Sequence, residues 1–188
     1  MKLGGILPGA TPDKAGRILK AALGLPIQVV TGYKGTSEIR LAAAGGEIAG
    51  GCWSWESMRA AWRNALDSGE VVPVVQITAK PFSDLPSVPL ASSLAKSDEG
   101  RRLIQVAVQN VSAYARPFAL PPATPKERVQ VLRKAFQETL KDPGFLAEVE
   151  KTKLTLDPVT GEELEKLVAD VFTLDPALSA KLKAILYN

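Results

Sequence analysis

The sequence contains no histidine and only one cysteine, Cys52, among its 188 residues. Without histidine there is no Ser-His or Cys-His nucleophile, and the commonest metal ligand is missing. One cysteine excludes an intrachain disulfide and a cysteine cluster for zinc. We therefore expect no metal, no cofactor and no catalytic residues. An enzyme that acts through Ser54 or Cys52 is one alternative function. The simpler interpretation of Cys52 is a small buried core residue.

The sequence also lacks long blocks of like charge and long apolar segments. The 23 basic and 20 acidic residues are interleaved, so no basic block points to nucleic acid. Residues 1–8 lack the apolar run of a signal peptide, and no segment approaches the length of a membrane span. The sequence predicts a soluble chain without an export signal of its own, and 46% hydrophobic residues suffice for a core.

Strand and helix patterns alternate in the first part of the chain. Short strands are predicted at residues 2–6 and 27–31, with a brief strand or turn at 48–51, and a helix follows each. This alternation is typical of an α/β fold, with a mostly parallel sheet flanked by helices. Residues 71–77 are rich in β-branched side chains and predict a further strand, and Pro73 indicates that this strand either starts there or lies at a sheet edge.

The rest of the chain is predominantly helical. The double proline at 121–122 is the clearest linker, and Thr124 and Thr160 each begin a capping box before an apolar stripe. Strand patterns recur only at 113–120 and 153–156. The predicted domains are a ligand-binding α/β lobe of residues 1–117 and a mainly helical C-terminal segment of residues 118–188.

The turn at residues 32–37, directly after the second predicted strand, carries the most chemical information. We expect Gly32 and Gly35 to adopt backbone conformations closed to other residues and to let a ligand approach closely. Thr36 or Ser37 is expected to cap the following helix. The remaining N–H groups and the helix dipole make such a corner suited to a small carboxylate.

Residues in and near this turn also allow other interpretations. Residues 32–35 match the GxxG pattern of a nucleic-acid-clamping KH loop, but that loop joins two helices whereas this one follows a strand. Glu38 and Glu47 are expected to be solvated carboxylates rather than a catalytic pair. Trp53 and Trp55 either wall a ligand pocket or pack in the core, and the position of Trp55 on an apolar helix stripe favours packing.

Seven segments, taken together, are similar to those of a known family. They are GYKGTSEIRLA at 32–42, GEIAG at 46–50, WSWES at 53–57, RPF at 116–118, PPATP at 121–125, RKAF at 133–136 and KDP at 141–143. In this order they resemble the substrate receptors of tripartite tricarboxylate transporters (Bug-type). The resemblance extends over essentially the whole chain.

The resemblance implies a periplasmic receptor with two lobes of the periplasmic-binding-protein type. These lobes close on a small organic carboxylate, which is passed to the membrane permease subunits of the transporter. In the family the anion is held mostly by backbone amides, small hydroxyl groups and bridging waters. By motif position, the ligand-binding residues would be Thr11 in one loop, Gly32, Tyr33, Gly35, Thr36 and Ser37 in a second, and Ser54 and Trp55 in a third.

The chain departs from the family pattern in two ways. Ala49 stands where the family usually has an aspartate, so any role of that carboxylate is lost. The resemblance also begins at the second lobe, and predicts a truncated receptor without the signal peptide and most of the first lobe. The alternative is a truncated remnant that binds no ligand and self-associates, as a homo-oligomer, through the apolar surface that a first lobe would cover.

Overall fold

The computed structural model describes residues 1–114, 116–152, 154 and 156–187. The chain forms two compact units, one of Met1–Ser112 with Leu174–Asn188, and one of Ala113–Thr173. The final helix therefore belongs with the first unit, whereas the sequence grouped it with the C-terminal segment.

A small parallel sheet lies at the centre of the first unit. Its strands are β1 (Lys2–Gly4), β2 (Gln28–Val30) and β3 (Gly50–Gly51), in the spatial order β2-β1-β3. Both neighbours of β1 run parallel to it. The predicted α/β class, with a parallel sheet flanked by helices, is confirmed.

Crossover helices connect these strands. Helix α1 (Thr11–Leu23) joins β1 to β2 and ends before Gly24, whose φ of 66° provides the left-handed conformation of a helix C-terminus. Helix α2 (Thr36–Ala44) joins β2 to β3, and α3 (Trp55–Asp67) follows β3. The other described helical segments of the first unit are α4 (Ala91–Leu94), α5 (Asp98–Ile104), the π-helical Gln105–Gln109, α6 (Asn110–Ala113), which runs to the unit boundary, and α10 (Pro176–Tyr187).

The core of the first unit lies on the α1 face of the sheet. Ile18 and Leu19 of α1 pack there with Leu3 of β1, and partly buried side chains of α10 add to the same cluster. Gly100 lets α5 approach α1 closely, because a Cβ atom at this position would lie 2.7 Å from the backbone oxygen of Ala22. The buried members of the cluster are Leu3, Ile18, Leu19, Ile27, Ala91, Ala95, Ile104, Ala107 and Val108.

Two of the predicted strands are wrong. Within residues 71–77 only Gln76 forms a bridge, to Leu90, while Val72 and Val74 are exposed. Pro73 interrupts the N–H pattern that a ladder needs, and the segment is held by side-chain hydrogen bonds of Gln76 instead. The strand predicted at 113–120 is absent from the described part of that range, where α6 ends. The strand predicted at 153–156 lies partly outside the described residues, which omit 153 and 155.

The second unit contains the helices α7 (Lys126–Thr139), α8 (Pro143–Thr152) and α9 (Gly161–Phe172). The capping box at Thr160 is confirmed, but the one at Thr124 is wrong, because Pro125 is the N-cap residue and Thr124 Oγ1 donates to the Pro121 carbonyl. No residue of these three helices is buried. None of the helices in the described ranges has the length and hydrophobicity needed to cross a membrane.

Candidate functional site

The carboxyl ends of the three parallel strands define one edge of the sheet. The connection after β1 leads to β2 on one side of β1, and the connection after β2 passes β1 to reach β3 on the other side. In open α/β sheets such a switch point creates a crevice outside the carboxyl ends of the strands, and ligands bind there. The loops after β1, β2 and β3 all begin at this edge, and they carry most of the residues that the sequence singled out.

Backbone hydrogen bonds join the first two loops. The Gly32 N–H donates to the Ile6 carbonyl at 3.0 Å, and the Gly5 N–H donates to the Val30 carbonyl at 2.8 Å. Gly32 has a φ of 108°, so the predicted need for glycine is confirmed at this position. A Cβ atom at Gly32 would meet nothing within 4 Å, which leaves the space above the turn open.

Gly35 behaves differently from the prediction. It is the N-cap residue of α2, with φ 176° and ψ −179°, an extended backbone that any residue can adopt. The expectation of a backbone conformation reserved for glycine is therefore wrong at Gly35. A Cβ atom here would also meet nothing within 4 Å, so the position is sterically open.

The side-chain cap expected at the start of α2 is not formed. Neither Thr36 nor Ser37 makes a side-chain cap, so that prediction is wrong. Glu38 reaches back instead, and its Oε2 accepts from the Lys34 N–H at 2.9 Å. A carboxylate three residues into a helix can satisfy an N–H at the helix entrance, and this leaves both hydroxyl groups available.

The first and third loops begin α1 and α3. Thr11 is the first residue of α1, its side chain is exposed, and the preceding Ala10 provides no side-chain cap. Ser54 caps α3 by accepting from the Ser57 N–H at 3.3 Å. Trp55 is the first residue of α3, and its indole Nε1 donates to Asp84 Oδ2 at 2.7 Å.

Tyr33 is directed away from the other predicted residues, towards the C-terminal half of α2. Its Oη donates to Glu47 Oε1 at 2.7 Å, and this hydrogen bond, with desolvation and the Glu47 charge, raises the pKa of Tyr33 above its usual value. The two residues line an open groove of about 380 Å³ together with Glu38 and Leu41. Two carboxylates make this groove unsuitable for an anion.

Two buried polar groups near the sheet edge were not predicted. Asp13, in the first turn of α1, is fully buried, and its Oδ2 accepts from Arg17 Nε at 3.1 Å. Trp53, in the loop after β3, packs on Trp62 with ring centroids 4.9 Å apart. Asp13 Oδ1 and Trp53 Nε1 are buried without a hydrogen-bond partner among the described residues. An acidic side chain in the first turn of a helix is ordinarily exposed and interacts with the helix dipole. The sequence therefore gives no signal that Asp13 is buried.

Two other titratable side chains near this edge, Cys52 and Lys14, have shifted pKa values. Burial raises the pKa of the Cys52 thiol to about 11, which leaves it protonated and a poor nucleophile at neutral pH. Burial also lowers the pKa of Lys14, in the early part of α1. Within the described ranges, no group of three histidine, cysteine, aspartate or glutamate side chains could hold a metal ion.

No protein-family model, curated protein or solved structure matches the chain. What the sheet edge can bind is therefore indicated by the chemical groups that lie there. These are the N–H groups at the starts of α1 and α2, the hydroxyl groups beside them, and the indole rings of the third loop.

Proposed function

We propose that the chain binds a small organic carboxylate at the carboxyl edge of its parallel sheet. The observation that carries the proposal is the strand order β2-β1-β3. This order gathers the loops that contain Thr11, Gly32 to Ser37, and Ser54 with Trp55. It also directs the N-termini of two crossover helices to the same edge.

Helix N-termini favour negative charge because their first N–H groups lack partners within the helix and lie at the positive end of the dipole. Neither α1 nor α2 uses a side-chain N-cap. The hydroxyl groups of Thr36 and Ser37 stand beside the start of α2 and can donate to a carboxylate oxygen.

In the fuller form of the proposal, the first unit is a lobe of the periplasmic-binding-protein type. The protein would be a periplasmic solute-binding receptor, not an enzyme, and would deliver its carboxylate to the permease subunits of a tripartite tricarboxylate-type transporter. This part is supported by the resemblance of the seven sequence segments.

A thermal-shift panel tests the binding proposal. Di- and tricarboxylates, aromatic acids and amino acids would each be added to the full chain at millimolar concentration. A ligand present at a hundredfold excess over its dissociation constant stabilises the folded state by about 2.7 kcal/mol, which raises the melting temperature by several degrees. A panel in which no carboxylate raises the melting temperature would contradict the proposal.

A steric variant sharpens this test. Because Gly35 has an extended backbone with open space above it, Gly35→Val should fold normally while its side chain fills the corner at the start of α2. We expect this variant to lose the thermal shift. Ser83→Ala, an exposed change in another loop, is the matched control and should keep it.

A second function is favoured by the exposed apolar side chains of the second unit. Phe118 and Phe172 are 87% and 85% exposed. Other large apolar side chains of α7 and α9 are also exposed, including Leu132 and Val171. Large exposed apolar patches mark association surfaces, so we propose self-association through these helices as the second candidate. Sedimentation velocity tests it: a monomer at high concentration, unchanged by Phe172→Glu, would contradict self-association.

A further inference from the structure

Asp84 connects a distant loop to the start of α3. Its Oδ2 accepts from the Trp55 indole Nε1 at 2.7 Å and pairs with Arg59 Nη1 at 3.4 Å. The Arg59 guanidinium also lies 5.8 Å from the centroid of the Trp55 ring. The ring of Trp55 is thus held by a hydrogen bond at its edge and by a cation near its face.

The position of Asp84 is fixed by a buried amide. Gln76 is 4% exposed, and its Nε2 donates to the carbonyls of Leu85 at 3.0 Å and Val88 at 2.7 Å. Its Oε1 accepts from the Phe82 N–H at 2.8 Å. Asp84 lies between two of these anchored residues, Phe82 and Leu85, so these hydrogen bonds fix the backbone that carries its carboxylate.

The ends of this loop are anchored as well. The Gln76 N–H donates to the Pro89 carbonyl at 2.9 Å, and the Ala91 N–H donates to the Gln76 carbonyl at 2.8 Å. Gln109, in the π-helical segment, donates from Nε2 to the Thr78 carbonyl at 2.9 Å. The loop of residues 78–90 is therefore a fixed support and not a free segment.

We propose that Asp84 is a positioning residue that holds the Trp55 ring as an apolar wall of the carboxylate site. The inference rests on the proposed function. Because the indole N–H is already donated to Asp84, Trp55 can offer a ligand only its ring. The Asp84 carboxylate also disfavours a second negative charge on that side. The ligand is thus a carboxylate whose body next to Trp55 is apolar.

Two probes separate this role from a general structural one. Acetate presents the carboxylate alone, whereas benzoate adds an apolar ring that can pack on the indole. The affinities of both probes would be measured by amide chemical-shift titration of the full chain. Wild type should prefer benzoate, and Asp84→Ala should reduce that preference about tenfold, the size of one charge-assisted hydrogen bond, while binding of acetate changes little.

The conservative variant provides the rescue. Asp84→Asn keeps an oxygen that can accept from the indole N–H, so it should retain the Trp55 indole resonance and most of the benzoate preference. Asp84→Ala should shift that resonance, which Trp55→Phe identifies among the three tryptophans. Ser83→Ala, one residue away, is the control and should change neither measurement.

The outcomes are distinct. If wild type binds neither probe nor any other carboxylate, the proposed function fails. If it binds both probes but Asp84→Ala leaves their affinity ratio unchanged, the role of Asp84 is refuted and the carboxylate site stands. A wild type that binds acetate as tightly as benzoate also refutes the apolar wall.

Discussion

Gln76→Leu should strongly destabilise the first unit. Leucine has a similar volume, so the cavity created is small, but all three side-chain hydrogen bonds are lost. A hydrogen bond contributes about 1 kcal/mol, and a buried group left unpaired costs about 1–3 kcal/mol. Since the loop can relax to hydrate some of its carbonyls, we expect a loss of about 3–5 kcal/mol in the free energy of unfolding.

Urea unfolding followed by circular dichroism measures this loss. With an m-value of about 2 kcal/mol/M, the midpoint should fall by about 2 M. The control is Gln105→Ala, because Gln105 is exposed and only accepts from Arg102 Nη1. It should change the free energy of unfolding by less than about 0.5 kcal/mol. If both variants unfold within about 0.3 M of wild type, Gln76 does not hold the loop as described.

Three further experiments test particular contacts. Gly100→Ala should destabilise the fold by about 1–3 kcal/mol, since its Cβ would lie 2.7 Å from the Ala22 backbone oxygen; an unchanged melting temperature would contradict this. The Cys52 thiol, with its pKa raised from 9.0 to about 11, should react with a disulfide reagent at pH 8 about a hundredfold more slowly in the folded protein than in urea. Equal reaction rates in the folded protein and in urea would refute the burial of the thiol. Because the pKa of Cys52 is higher in the folded state, folding stability is lost as the pH rises from 9.0 to about 11. Glu47→Ala should lower the pKa of Tyr33 towards its ordinary value, because the hydrogen bond that raises it is removed, and a spectrophotometric tyrosine titration showing no change would argue against that bond.

Features set by neighbouring residues could be predicted from the sequence. Gly24 ends α1 because a left-handed residue is needed there, and Thr160 with Glu163 caps α9 through a reciprocal pair of hydrogen bonds. The alternation of short strands and helices was enough to predict the parallel sheet. It also placed the three candidate loops at the ends of the strands.

Features set by distant contacts could not be predicted. Residues 71–77 have the composition of a strand, yet the buried amide of Gln76 bonds to residues up to 12 positions away and makes a loop of them. Trp55 and Asp84 are 29 positions apart, and no sequence pattern joins them. One local contact was missed as well, because the composition around Gly35 did not indicate that Glu38 would satisfy an N–H at the entrance of α2.

The central claim is that a small carboxylate binds where the loops after β1, β2 and β3 meet. Amide chemical-shift mapping, with benzoate as the titrant, tests it most directly. The account predicts shifts concentrated in residues 5–11, 32–37 and 52–55, which saturate with a single dissociation constant. Shifts confined to the groove residues Leu41, Ala42, Gly45 and Glu47, or to the helices of the second unit, would contradict it.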